Sequence, residues 1–333
     1  MLKTLLIILF SAFISNIVLS QDKSKKMNGV SFVGTKELIK QKHIDPVKSL
    51  NANWITVMPF GFIANGTAAV RFNEDWQWSG ETVKGIKHTI ELAQKNNLKI
   101  LLKPHIWLHN GWIGDLNFSN ERDFQTFEKT YSNYIIEFAK LAQLLKVEVF
   151  CIGVEIKKIA VNRPKFWKEL IKKVRIIYSG KLTYSSNWDN FNHISFWNEL
   201  DYIGIDAYFP VSSSKTPSFQ SCFIGWEKHF DAIKSFSDSI KKQVIFTEFG
   251  YRNIDYTGKE PWTESDNSTF NSQAQINAYR AIFAKFWGQS WFAGGFLWKW
   301  FPNHSETGGP KDNRFTPQNK SVEKIIRGFY RNA

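Results

Sequence analysis

Short runs of apolar residues alternate with longer amphipathic ones along most of this chain. The runs at 28–33, 54–58, 99–105, 147–155, 181–186, 202–207, 243–249 and 294–300 are mostly apolar on both parities. That is the pattern of strands buried on two faces, as in a parallel sheet. Between them, apolar positions follow a helical period. The clearest case is 121–145, where Phe124, Phe127, Tyr131, Ile135, Phe138, Ala142 and Leu145 recur every three or four residues behind Asn120, a residue type suited to cap a helix. The same signals predict helices over 81–96, over 164–178 with a proline in the first turn, over 225–240 and over 272–287.

Eight strands with helices between them predict an α/β fold, a (β/α)8 TIM barrel forming a single domain over 28–333. A doubly wound open sheet fits less well, because the chain after the first strand reads "FVGTKEL" and has no G-x-G-x-x-G phosphate turn. In a barrel, the groups that meet a ligand stand at the C-terminal ends of the strands and in the loops that follow.

The N-terminal segment narrows the setting. Residues 1–20, "MLKTLLIILFSAFISNIVLS", have one basic residue, an apolar stretch and a small residue at the end, the layout of a secretory signal peptide. The apolar stretch is short against the roughly 20 residues of a membrane span. The expectation is therefore a secreted or periplasmic protein, without stable membrane insertion after cleavage, that continues through a polar lead-in at 21–27. The net charge of +13 is scattered, with only short clusters such as 23–26 and 172–175, which argues against nucleic acid as a partner. Cys151 and Cys222 read as buried thiols rather than a disulfide framework, with one bridge between them left open.

Two of the predicted strands end on a carboxylate. The fourth reads "VEVFCIGVEIKK" and ends at Glu155; the seventh lies in "QVIFTEFGYR" and ends at Glu248. In a closed barrel both ends reach one mouth, and a pair of facing carboxylates is what glycosidic hydrolysis requires. The apolar surroundings of a strand end also raise a carboxyl pKa, which keeps a proton available near neutrality.

The composition supports a sugar ligand, since 14 Trp, 10 Tyr and 29 Phe make up 16% of the chain. An indole offers a flat face to the C–H groups of a pyranose. Trp298 and Trp188 are the leading platforms, followed by Trp76, Trp78, Trp107 and Trp112. Lys103, His105 and Asn187 suit sugar hydroxyls. Tyr208 is placed to hold the Glu248 carboxylate through its hydroxyl, and Asp206 either binds sugar or pairs with a nearby cation. His105 and His109 form an H-x-x-x-H pair, but the first closes a strand, so the helical zinc geometry fails; neither a metal nor another cofactor is expected.

The ordered set "LKPHIW", "CIGVEI", "YIGIDAYFP", "VIFTEFGYR", "GGFLWKWFP" and "RFTPQNK" resembles glycoside hydrolase clan A, and more closely family 113, the β-mannanases, over nearly the whole mature chain. The resemblance implies a retaining mechanism on β-1,4-mannosidic bonds of a polysaccharide or oligosaccharide, with Glu155 as acid/base and Glu248 as nucleophile. One departure stands out. Many clan A members place Asn immediately before the acid/base, where it contacts the sugar 2-hydroxyl, and here that residue is Val154. Two other readings stay open: a β-glucanase or xylanase of the same clan, and a noncatalytic carbohydrate-binding protein on a glycosidase scaffold.

Overall fold

The structure is a computed structural model that describes residues 26–263 and 269–332. The expected signal peptide and all but the end of the lead-in lie outside the described residues. Eight parallel strands close into a barrel: β1 (Met27–Phe32), β2 (Trp54–Val57), β4 (Lys99–Leu102), β6 (Val149–Val154), β7 (Lys181–Asn187), β8 (Ile203–Asp206), β9 (Val244–Phe249) and β10 (Phe292–Trp300), with β10 returning to pair with β1. The physical reason for the double-faced apolar pattern is visible in two clusters. The inward residues Met27, Trp54, Leu101, Val149, Cys151, Val154, Ile245 and Phe296 fill the barrel, while alternate residues face the surrounding helices.

The helices are α1 (Gln41–Ser49), α2 (Val83–Lys95), α3 (Glu121–Leu144), α4 (Lys157–Asn162), α5 (Pro164–Ile177), α6 (Phe219–Gly225), α7 (Glu227–Ile240), α8 (Ser272–Phe286) and α9 (Ser321–Asn332). In α3 the Asn120 side chain accepts from the Asp123 N–H at 2.9 Å, a cap of the kind that stabilises a helix by about 1 kcal/mol. Its apolar stripe, including Phe127, Tyr131, Ile135, Phe138 and Ala142, is buried against the barrel. Tyr131 donates from its hydroxyl to the Ile152 carbonyl of β6 at 2.9 Å. A Cβ at position 153 would lie 2.7 Å from the Trp167 ring, so the glycine of "CIGVEI" lets α3 and α5 close on the strand that carries Glu155.

One predicted strand is divided. Pro104 has no N–H to donate, and the run expected at 99–105 ends as β4 at Leu102. Three residues on, β5 (His105–Leu108) pairs in parallel with β3 (Phe60–Ile63), a strand not expected from the sequence. This two-stranded ribbon stands beside the mouth, outside the closed barrel. Among the described residues no helix is long and apolar enough to cross a membrane.

Candidate active site

The ends of β6 and β9 bring Glu155 and Glu248 into one cavity of about 560 Å³. The Glu155 N–H continues the ladder by bonding Ser185 O at 2.8 Å, after which the backbone turns with φ 51° at Glu155 itself. A non-glycine residue in that region costs on the order of 1 kcal/mol, and such residues concentrate at functional sites. On the other side, Gly250 lets the chain leave β9, since a Cβ there would lie 2.8 Å from Trp298 O.

Glu248 is gripped on both oxygens. Lys103 Nζ lies 2.6 Å from Oε1, and the Tyr208 hydroxyl donates to Oε2 at 2.8 Å. The same ammonium lies 3.2 Å from Asp206 Oδ1, which also accepts from Ser185 Oγ at 2.7 Å and Thr247 Oγ1 at 2.8 Å. Burial and the charge of Asp206 push the Glu248 carboxyl up to about 7, while Lys103 and Tyr208 pull it down. Burial disfavours the Lys103 ammonium, but Asp206 and Glu248 outweigh that and hold it protonated.

Glu155 is held differently. Trp112 donates its indole N–H to Oε2 at 3.0 Å, and among the described residues Glu155 makes no ion pair. Burial, followed by the charges of Asp206 and Glu248, raises its carboxyl well above the usual range. Two carboxylates in one cavity are thus set apart by their neighbours: Glu248 has a cation beside it, and Glu155 has only an indole N–H. The ammonium beside Glu248 favours its ionised form, and burial with no adjacent cation favours the protonated form of Glu155.

The predicted ligand residues divide into three groups. Trp298, Trp188, Asn187 and Tyr208 line the cavity with the two carboxylates. His105 forms part of the wall behind them: it stacks on Trp298 with ring centroids 5.9 Å apart, and its Nε2 lies 3.9 Å from Glu248 Oε1 without a hydrogen-bond partner. Burial and the charges of Lys103 and Lys299 keep this imidazole neutral. Lys103, expected among the sugar-binding residues, is instead wholly buried beneath Glu248, and so is Asp206, which follows the second of its two expected readings and pairs with a cation, Lys103. The expected contact of Lys103 with sugar is replaced by contacts with Asp206 and with the Glu248 carboxylate, because the charges would otherwise be unpaired inside the barrel.

Trp112 also lines the cavity, while Trp76, Trp78 and Trp107 are exposed outside it. Val154 packs into the inner barrel cluster and does not line the cavity. Sequence reasoning missed Trp262, Asp189 and Phe315, all cavity residues. Trp262 stacks on Trp188 at 5.1 Å and an interplanar angle of 20°, and Asp189 accepts from Asn187 Nδ2 at 3.0 Å. The position of Trp262 in the loop after the Glu248 strand was the available signal, and Phe315 stands in the motif "RFTPQNK". Cys151 and Cys222 are both buried and free. Among the described residues no group of three or more His, Cys, Asp or Glu is placed to hold a metal ion.

Solved structures with this architecture include the β-mannanase AaManA of Alicyclobacillus acidocaldarius in complex with ManMIm, with a TM-score of 0.80 at 22% identity over 92% of this chain and 98% of that one. A second β-1,4-mannanase matches with a TM-score of 0.75 at 24% identity, covering 93% of this chain and all of the other. The β-glucuronidase of Faecalibacterium prausnitzii is more distant, with a TM-score of 0.63 at 12% identity over 92% of this chain and 49% of that one. No curated protein sequence matches the chain. At these identities the structures establish a shared fold, and the sequence itself supplies the family: the model of Glycoside Hydrolase Family 113 matches residues 35–320. This chain belongs to glycoside hydrolase family 113.

Proposed function

We propose that this glycoside hydrolase cleaves β-1,4-mannosidic bonds in mannan or manno-oligosaccharides with retention of configuration. The observation that carries the mechanism is the unequal pairing of the two cavity carboxylates, Glu248 on an ammonium and Glu155 on an indole N–H. Ionised Glu248 attacks the anomeric carbon as the glycosidic C–O bond breaks, and the departing oxygen takes the proton of Glu155. A covalent glycosyl ester on Glu248 results. Glu155, now a carboxylate, removes a proton from water; the water oxygen attacks the anomeric carbon and frees Glu248. Trp298, Trp188 and Trp262 supply flat faces for neighbouring sugar rings, and Asn187 supplies a polar contact.

The substrate assignment draws on family 113 and on the β-mannanases that share the fold. Residues 1–20 lead the protein out of the cytoplasm in this reading. The test is release of reducing sugar from mannan, β-glucan and xylan, with the anomer of the first product recorded by NMR. Mannan is the preferred polymer and the first product keeps the β configuration. A preference for glucan or xylan overturns the substrate, an α first product overturns the retaining mechanism, and binding without cleavage over days overturns both.

A further inference from the structure

The two-stranded ribbon β3–β5 has a regular aromatic face. Its parallel register sets Phe60 beside His105 and Phe62 beside Trp107. Because successive side chains of a strand point to opposite sides, these four share one face, while Gly61, Ile63, Ile106 and Leu108 share the other. The second face is packed inward: Ile63 is buried, and a Cβ on Gly61 would meet Val70, Ile106 and Tyr134 of α3. The first face therefore turns the other way, and its lower end is at the catalytic cavity, where His105 lies against Trp298 and 3.9 Å from Glu248.

Along that face the aromatic rings form an inner pair, whose His105 meets Trp298, and an outer group around Phe62 and Trp107. Phe60 and His105 have centroids 5.3 Å apart, Phe62 and Trp107 5.8 Å, Phe62 and Trp76 4.7 Å, and Trp107 and His109 5.8 Å. Trp76 is 55% exposed and Trp107 47%, so the outer half of the row is a contiguous aromatic surface in water rather than part of the core.

We propose that this face is a second sugar-binding tract, along which Trp76 and Trp107 hold units of a polysaccharide several residues away from the bond being cut. The packing of the ribbon's inner end, at His105, against the cavity residue Trp298 and the indole chemistry of its outer end both point to a glycan chain as the occupant, since each indole offers a flat apolar face with an N–H at its edge. The choice of mannose units rests on the function proposed above; the tract itself needs only pyranose faces. It makes the enzyme favour long chains over short ones.

The test compares wild type with the double variant Trp76→Ala/Trp107→Ala on a manno-oligosaccharide of two or three units and on one of six or more. The ratio of kcat/KM for long over short substrate is expected to fall about tenfold in the variant, equivalent to about 1.4 kcal/mol of lost contact. An unchanged ratio overturns the tract. Calorimetric titration of both proteins with mannohexaose and cellohexaose separates this proposal from the function it rests on. If the wild type cleaves neither but binds either one more tightly than the variant does, the tract stands and the hydrolytic reading falls; equal binding removes the tract. Sedimentation provides the remaining outcome. A wild-type dimer that the variant abolishes, with sugar affinity unchanged, means that a second copy of the chain occupies the face and overturns the proposal.

Discussion

Lys103 Nζ stands 2.6 Å from Glu248 Oε1 in the closed interior of the barrel, with the ammonium wholly buried. The cation is not presented to the cleft; it stabilises the ionised form of the carboxylate that the proposed mechanism uses as nucleophile. Removing one partner of a buried pair leaves the other charge uncompensated, at a cost of about 3–5 kcal/mol.

Lys103→Met is expected to lower kcat about 100-fold or more and to reduce the melting temperature. Without the ammonium the Glu248 carboxyl rises above its value of about 7, so the acidic limb of kcat/KM moves to higher pH. A variant that loses stability but keeps the wild-type pH profile shows Lys103 to be a packing residue only.

The two carboxylates should separate by leaving group. Glu155→Gln loses several orders of magnitude on an unactivated mannoside but much less on an aryl glycoside whose phenol leaves without a proton. Glu248→Gln loses activity on both, because no leaving group replaces a nucleophile. Equal behaviour of the two variants on the two substrates removes the role assignment.

Trp112→Phe keeps a ring in place but deletes the N–H that bonds Glu155 Oε2. An N–H favours the ionised carboxylate, so its loss raises the Glu155 pKa further. The basic limb of kcat/KM should move to higher pH, with a drop in rate of about tenfold from looser positioning of the carboxyl. An unmoved basic limb means that the bond does not persist in solution.

Glu81 lies away from the cavity, and burial pushes its carboxyl from 4.5 up to about 7. A raised carboxyl pKa means that the folded state prefers the proton: the favourable contribution is full below pH 4.5 and is lost as pH rises through about 7. Glu81→Gln removes the buried charge, so it should raise the melting temperature at pH 8 and leave it nearly unchanged at pH 4. A higher melting temperature at both pH values would trace the effect to packing rather than titration.

Much of the barrel was legible because its strands are buried on two faces and therefore read as apolar runs regardless of parity. The site was legible where a carboxylate interrupts such a run, at Glu155 and Glu248. The expectation that Tyr208 bonds Glu248 was drawn from its place at a strand end, and the hydroxyl does donate to that carboxylate. The ribbon β3–β5 was not foreseen. Each of its strands has four residues, and only pairing across an intervening helix makes them a sheet.

The sequence by itself determined the alternation of strands and helices, the two strand-end carboxylates and the family, since periodicity, strand ends and motif order are properties of local chain segments. Tertiary structure alone decided that Lys103 pairs with both Asp206 and Glu248 inside the barrel, that Trp112 bonds Glu155, and that Trp262 stacks beside Trp188. Lys103 and Glu248 are 145 residues apart in the chain. A side chain's charge is written in the sequence, but whether it meets water, a ligand or an opposite charge depends on which distant strand closes beside it.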